Sequence, residues 1–311
     1  MRVALLLTGR TEWHGLPAAL RRLFPEHEFY AVPTREEVES HPDRFPYDGF
    51  TSNELTQKSE DAPPESAILL VERAAQEALG DRRRAAADVV MVLDDVELCN
   101  THQPDRVVRV FKSAVEHHLA ELQGARIRTA AVLREKVSFH LIFPMIEAWF
   151  FGDPSALATA GMPLAAVPLL AALDVEAFQT NDAAYIAATE ELCPCWISKR
   201  IKKNRPKWLG TLLRDKHPKA YLQWLCLDGS QRNCTTCDET ENGGRALTGL
   251  RWGALLEQPS SQLRYLRAFL ADLADVLGED PTTGAVVEDP AAPVPATRLS
   301  ARPEAHVVRN L

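Results

Sequence analysis

Two spacings of apolar residues alternate along the first half of the chain, and their alternation predicts an α/β fold. Arg2 to Leu7 is a short, nearly continuous apolar run, the pattern of a strand buried on both faces. A turn at Gly9 follows, and Leu16 to Phe24 then carries apolar positions at helical spacing until Pro25 stops it. Glu28 to Val32 predicts a second strand. Residues 33 to 63 are polar and proline-bearing, with Pro46 to Gly49 as a turn signal, and read as a long loop or insertion able to lie over a site. Pro64 opens a helix to about Leu79, in which Ile68, Val71, Ala74, Ala75 and Ala78 share a face. Val89 to Leu93 is the third strand. Val107, Val110, Phe111, Ala114, His118 and Leu119 form one face of the next helix, and Arg126 to Leu133 reads as a fourth strand. Strands alternating with helices imply a mostly parallel sheet flanked by helices, joined by right-handed crossovers.

The second half has a different rhythm. In Val137 to Asp153, a helix from Pro144 would hold that proline in its first turn and end at Gly152. Asp153 to about Leu192 is rich in alanine and leucine and reads as helical. Further helices are expected from His217, over Gly244 to Leu256, and over Ser261 to Leu277. Beyond Gly278 the composition turns to Pro, Ala, Thr, Asp and Glu without periodicity, which predicts a disordered tail. The expected organisation is an α/β domain over 1–155, a mainly helical region over 156–278 with a Cys-rich, basic insertion at about 193–240, and a tail over 279–311. No internal repeat, heptad array, Walker loop or nucleophile elbow is visible.

Composition narrows the class. A chain of 311 residues with 46% hydrophobic and 25% charged content can bury a full core. Its longest apolar stretches, Ala4 to Leu7 and Leu164 to Leu173, are too short to span a membrane and lack a signal-peptide layout, so a cytoplasmic protein with no membrane partner is expected. The formal net charge of -8 argues against a wholly basic nucleic-acid coat but leaves local patches open. Six cysteines in such a chain favour thiols or metal ligands over a disulfide framework.

The third strand carries the candidate chemistry. It ends in Asp94, Asp95 and Glu97, and in open α/β sheets ligands bind at the carboxyl ends of strands. Carboxylates released together repel one another unless a cation or shared protons compensate them, which suggests a divalent metal. The plainer alternative is that Asp94 and Asp95 cap the following loop or helix. After the first strand, Thr11 and Glu12 lie near a helix N-terminus, suited to an anion or metal-phosphate pair and equally to capping. Glu147 is a lone carboxylate among Met145, Ile146, Trp149 and Phe150, and is either an exposed polar face or a site residue. His140 reads as a satisfied core histidine.

Three short motifs carry a family resemblance: Gly9-Arg10-Thr11-Glu12, Asp94-Asp95-Val96-Glu97, and Ile146 to Asp153. With the strand-turn-helix opening, they make residues 1 to 155, and more loosely the helices to about 257, resemble the TOPRIM-like family DUF4276, relatives of the OLD-nuclease TOPRIM type. The resemblance implies a TOPRIM fold and Mg2+ (or Mn2+) bound at an Asp-x-Asp strand end for phosphodiester cleavage, often in prokaryotic defence. On that reading Asp94, Asp95 and Glu97 hold the metal, Glu147 completes or orients its shell, and Glu12 is the acid/base candidate, giving the catalytic set Glu12, Asp94, Asp95 and Glu147. Two departures stand out. The family's Glu-Gly is here Thr8-Gly9, and Asp-x-Asp is not literal. A threonine cannot serve as a general base at neutral pH, so an impaired or non-catalytic version is the competing expectation.

Two further features lie between 193 and 240. Cys193 and Cys195 are followed by Cys234 and Cys237, the second pair at zinc-knuckle spacing; four thiolates would close a structural Zn2+ site, with His217 as a substitute ligand. Scattered free cysteines or a redox pair are the alternatives. Lys199, Arg200, Lys202, Lys203, Arg205 and Lys207, interleaved with Trp196 and Trp208, suit a phosphate backbone, against the alternative of a solvated helix face. The functional expectations are a metal-dependent nuclease, a catalytically degenerate protein binding nucleic acid or a protein partner such as an ATPase, or a small-molecule phosphohydrolase.

Overall fold

A computed structural model describes residues 1–40, 49–82, 84–163, 165–172, 174–187, 213–226, 241–259, 261–279 and 306–311. In chain order its elements are β1 (Arg2–Leu7), α1 (Arg10–Leu23), β2 (Glu28–Val32), α2 (Arg35–Ser40), α3 (Gln57–Asp61), α4 (Glu65–Leu79), β3 (Val89–Asp95), α5 (Pro104–Glu121), α6 (Arg126–Lys136), β4 (Val137–Ile142), α7 (Pro154–Thr159), α8 (Ala183–Ala187), α9 (Pro218–Leu225), α10 (Glu241–Gly249), α11 (Trp252–Leu256) and α12 (Arg264–Leu277). The 3-10 helices Phe50–Ser52, Ile146–Gly152, Val175–Ala177 and Arg214–Lys216 lie between them.

The chain divides into two compact units. The first, Met1–Gly9, Leu20–Phe143 and Arg264–Leu311, contains a four-stranded, all-parallel sheet in the order β2-β1-β3-β4. β1 and β3 occupy its centre, and both are buried almost throughout, as their unbroken apolar runs require. One face of the sheet, from Ala4, Leu6, Val90, Val92, Phe139 and Leu141, forms a single core with the apolar stripes of α4 and α5. Phe111 of α5 stacks on Phe139 at 4.0 Å within that core. On the opposite face His140 Nε2 meets Asp272 Oδ2 of α12 at 2.9 Å, with the ring edge-on to Phe269, so this histidine is a partnered core residue.

The second unit comprises Arg10–Ala19 and Pro144–Leu263. Its hub is the 3-10 helix Ile146–Gly152, in which Ile146 to Phe151 are all buried. Phe151 packs in an aromatic cluster with Phe178 and Tyr221, and Tyr221 adjoins Tyr185. Asp153 caps α7 by accepting from the Ser155 backbone N–H and also binds the Arg251 guanidinium at 2.8 Å. Two glycines bring α1 and α10 together: a Cβ on Gly15 would stand 2.4 Å from the Gly244 carbonyl oxygen, so no larger residue fits that crossing.

Several elements differ from the pattern-based expectation. Arg126–Lys136 is a helix, not the fourth strand, because only Thr129 and Leu133 turn inward, one helical turn apart, while Ile127 is exposed. The fourth strand is Val137–Ile142, every residue of which is buried. Asp153 onward is broken into the short helices α7 and α8 with the 3-10 helix Val175–Ala177 between them, as Pro163 and Pro168 interrupt the alanine-rich run. Unit membership changes after Phe143 rather than at 155, and α12 belongs to the sheet-bearing unit because its inward face packs on β4.

Residues 306–311 also depart from a disordered tail. Arg309 donates its backbone N–H to the Val137 carbonyl at 2.7 Å. The Asn310 side chain then accepts from the Phe139 N–H at 3.0 Å and donates to the Phe139 carbonyl at 2.8 Å. An amide side chain thus replaces a neighbouring strand along this edge of β4, and Val308 and Leu311 join the core. Among the described residues no helix is long and apolar enough to cross a membrane.

Candidate functional site

Parallel pairing creates the site. Leu7 of β1 is in register with Leu93 of β3, so the next residue on each strand, Thr8 and Asp94, emerge side by side at the carboxyl end of the sheet's centre. The Thr8 hydroxyl donates to Asp94 Oδ1 at 2.6 Å. A second hydroxyl, Thr51 Oγ1 from the 3-10 helix Phe50–Ser52, donates to Asp94 Oδ2 at 3.2 Å, and the Thr51 backbone N–H also bonds this carboxylate. Gly49 approaches the same group so closely that a Cβ there would lie 2.8 Å from Asp94 Oδ1.

Asp94 is only 1% exposed. Burial pushes its carboxyl up to about 7; the threonine hydrogen bonds pull it down, and the nearby Glu97 carboxylate pushes it further up. Hydrogen bonds favour the ionised form but do not overcome the loss of water around it. The group therefore gains from either a proton or a cation near neutral pH.

Glu97 has a backbone φ of 59°, the left-handed region that a glutamate rarely adopts. Such a conformation costs on the order of 1 kcal/mol and persists where the surroundings hold it. Here Val96 donates its N–H to the Ile142 carbonyl, and the Glu97 carbonyl accepts from Asn100, fixing the chain on both sides. The turn that follows β3 carries Cys99, whose thiol is pushed up to about 12 by burial and by the Glu97 carboxylate, which makes it an inert packing group.

Asp95 is half-buried, and strand alternation sends its side chain to the sheet face opposite Asp94. Glu12 and Glu147 belong to the second unit, and both are buried. Glu147 is therefore not an exposed polar face: it lies in the apolar 3-10 helix with Lys219 Nζ at 3.8 Å from Oε1. His217 caps α9, its Nδ1 accepting from the Ala220 N–H at 3.4 Å. Cys193, Cys195, Cys234 and Cys237, and the basic stripe Lys199, Arg200, Lys202, Lys203, Arg205 and Lys207, lie outside the described residues. Thr51, Gly49 and Asn100 carry no motif, and the one signal toward them is the turn at Pro46 to Gly49 in a loop expected to lie over a site.

The donor set has a definite chemical character. No group of three or more His, Cys, Asp and Glu side chains placed to hold a metal occurs among the described residues. Mg2+ does not require one, since it commonly binds through one or two carboxylates and takes its remaining ligands from water and substrate phosphate. Asp94, Glu97 and the two threonine hydroxyls offer hard oxygen alone, with no sulfur or imidazole, and the cation-seeking Asp94 carboxylate fits such an ion. The chain matches no family model, no curated protein and no solved structure.

Proposed function

We propose that this protein is a metal-dependent enzyme cleaving phosphodiester bonds, with Asp94 at its centre. The observation that carries the reading is a carboxylate at the carboxyl end of a central parallel strand, buried, held by two hydroxyls, and raised by burial to about 7. Asp94 and Glu97 would hold Mg2+ or Mn2+, which when bound supplies positive charge against a phosphoryl oxygen. Thr8 and Thr51 fix the two Asp94 oxygens so that the carboxylate is oriented before substrate arrives. The stripe from Lys199 to Lys207 is the proposed guide for a nucleic-acid backbone. The TOPRIM resemblance and a structural Zn2+ on the four cysteines belong to the same proposal.

One observation favours a second reading, a degenerate relative that binds nucleic acid or a protein partner without cutting. Thr8 stands where the resembled pattern has glutamate, and its hydroxyl is spent on Asp94 rather than available as a base. Nicking of supercoiled plasmid with Mg2+ or Mn2+, for the wild-type chain and Asp94→Asn, separates the two. Metal-dependent nicking abolished in the variant is the result expected of the enzyme. Nicking by neither protein, with DNA retained at low salt, would favour the binding protein.

A further inference from the structure

Asn100 does more for Asp94 than its distance from the carboxylate suggests. It is fully buried, and every polar atom of its side chain is used. Oδ1 accepts from the Leu55 N–H at 2.9 Å and from Gln103 Nε2 at 3.0 Å. Nδ2 donates to the Thr51 carbonyl at 2.9 Å and the Asn53 carbonyl at 3.1 Å. These bonds bind the turn after β3 to the segment 51–55, some 45 residues away in sequence. That segment presents both Thr51 donors, the hydroxyl and the backbone N–H, to Asp94.

Other ties reach the same segment: Phe50 and Leu55 pack in the core, and Arg106 Nη1 donates to the Leu55 carbonyl at 3.5 Å. Gln103 Nε2 donates to the Leu55 carbonyl at 2.8 Å, and the Cys99 thiol reaches the Thr51 carbonyl at 3.4 Å. Both residues flank Asn100 in the turn, and Gln103 itself bonds Asn100. Among the described residues, Asn100 grips the segment at three backbone positions, Thr51, Asn53 and Leu55. A leucine or alanine would leave the buried Leu55 N–H without its Asn100 partner and the Thr51 carbonyl with the Cys99 thiol alone.

We infer that Asn100 is a positioning residue for Asp94: by clamping residues 51–55 it keeps the Thr51 hydroxyl and N–H on the carboxylate, and so sets the affinity of the site for a divalent cation. This rests on Asp94 being the working carboxylate, and its structural half can be read without any metal. Supporting partners of this kind are worth 10- to 100-fold in metal affinity when removed.

The test uses the full chain with three substitutions, Asn100→Ala, Thr51→Val and the pair. Native-state hydrogen exchange of the metal-free proteins reports the Thr51 and Leu55 amides, with Val92 of β3 as the reference. Mn2+ alone is then titrated by water-proton relaxation. In Asn100→Ala the Thr51 and Leu55 amides are expected to exchange at least about tenfold faster while Val92 is unchanged, because only the clamp is lost. Mn2+ affinity is expected to fall about tenfold, with Thr51→Val falling similarly and the double variant no further, as for two parts of one device. Unchanged Thr51 exchange in Asn100→Ala, equal acceleration at all three amides, or failure of that variant to fold would each overturn the inference in favour of a general structural role. A wild-type chain that binds no Mn2+, with the exchange result as expected, would instead overturn the metal reading and leave the clamp standing.

Discussion

Thr8 Oγ1 lies 2.6 Å from Asp94 Oδ1 because the two residues follow a paired position, Leu7 with Leu93, on adjacent parallel strands. A residue one place earlier or later on either strand would point to the other face of the sheet. The register therefore does chemical work: it brings a hydroxyl to a buried carboxylate. The same register makes Thr8 the residue that meets Asp94. A glutamate there would set two carboxylates side by side and require a cation between them, whereas threonine donates a hydrogen bond.

The raised Asp94 carboxyl has a consequence for stability in metal-free buffer. Its folded value of about 7 lies above the ordinary 3.8, chiefly through burial. The unfolded chain therefore releases this proton first, and stability declines as pH rises from about 4 to about 7, with the loss complete above that. Asp94→Asn removes the effect. The variant should match or fall below wild type near pH 4 and exceed it at pH 8, by an amount on the order of 4 kcal/mol at most. Urea melts across that range in the presence of a chelator check this; parallel pH dependences for the two proteins would contradict it.

Gly49→Ala tests how closely the loop approaches the site. The added Cβ would stand 2.8 Å from Asp94 Oδ1, a contact that forces either the carboxylate or the backbone to move. A destabilisation of about 1–3 kcal/mol is expected from overpacking of this kind. Thermal unfolding measures it, and loss of the Thr51-to-Asp94 hydrogen bond should appear as a shifted Thr51 amide resonance.

In the second unit, Asp153 should lose its contribution to stability in acid. Burial opposes its charge, but hydrogen bonds from Arg251 and Ser155 hold its carboxyl down to about 2. Its contribution is present above the ordinary value of 3.8 and disappears as pH falls from about 4 towards 2. Asp153→Ala loses the α7 cap and the Arg251 bond together, a cost of about 1–2 kcal/mol at pH 7 that should vanish near pH 2. Denaturant midpoints at both pH values decide the matter.

Asn310→Ala should open the edge of β4. It strips the Phe139 N–H and carbonyl of their partners while leaving the Arg309 bonds to Asp272 in place. About 1–3 kcal/mol of stability should go, and the Phe139 amide should lose protection against hydrogen exchange. Unchanged protection would mean that the edge is satisfied in another way.

Much of the sheet was legible from spacing alone. β1, β2 and β3 are apolar runs between turn signals, and the helices α4 and α5 repeat apolar residues every three to four positions. The misreading of Arg126–Lys136 has a physical source. Ile127, Ala130, Ala131, Val132 and Leu133 look like an apolar run, yet charged residues are interspersed among them, and the helix turns only Thr129 and Leu133 inward. Asp94 was visible because acids abruptly end an apolar strand. Thr51, Gly49 and Asn100 were not, since their role arises from a loop folding back across more than forty residues, which no local pattern records. The docking of 306–311 was equally hidden, because it depends on one asparagine side chain imitating a strand.

Mn2+ binding by the wild-type chain and by Asp94→Asn, measured through water-proton relaxation at pH 8, tests the central claim most directly. Asp94 is ionised at that pH, so wild type should bind and the variant should lose at least about tenfold in affinity while remaining folded. Equal affinity in the two proteins, or no binding by either, would contradict the assignment of Asp94 as the residue that holds the metal.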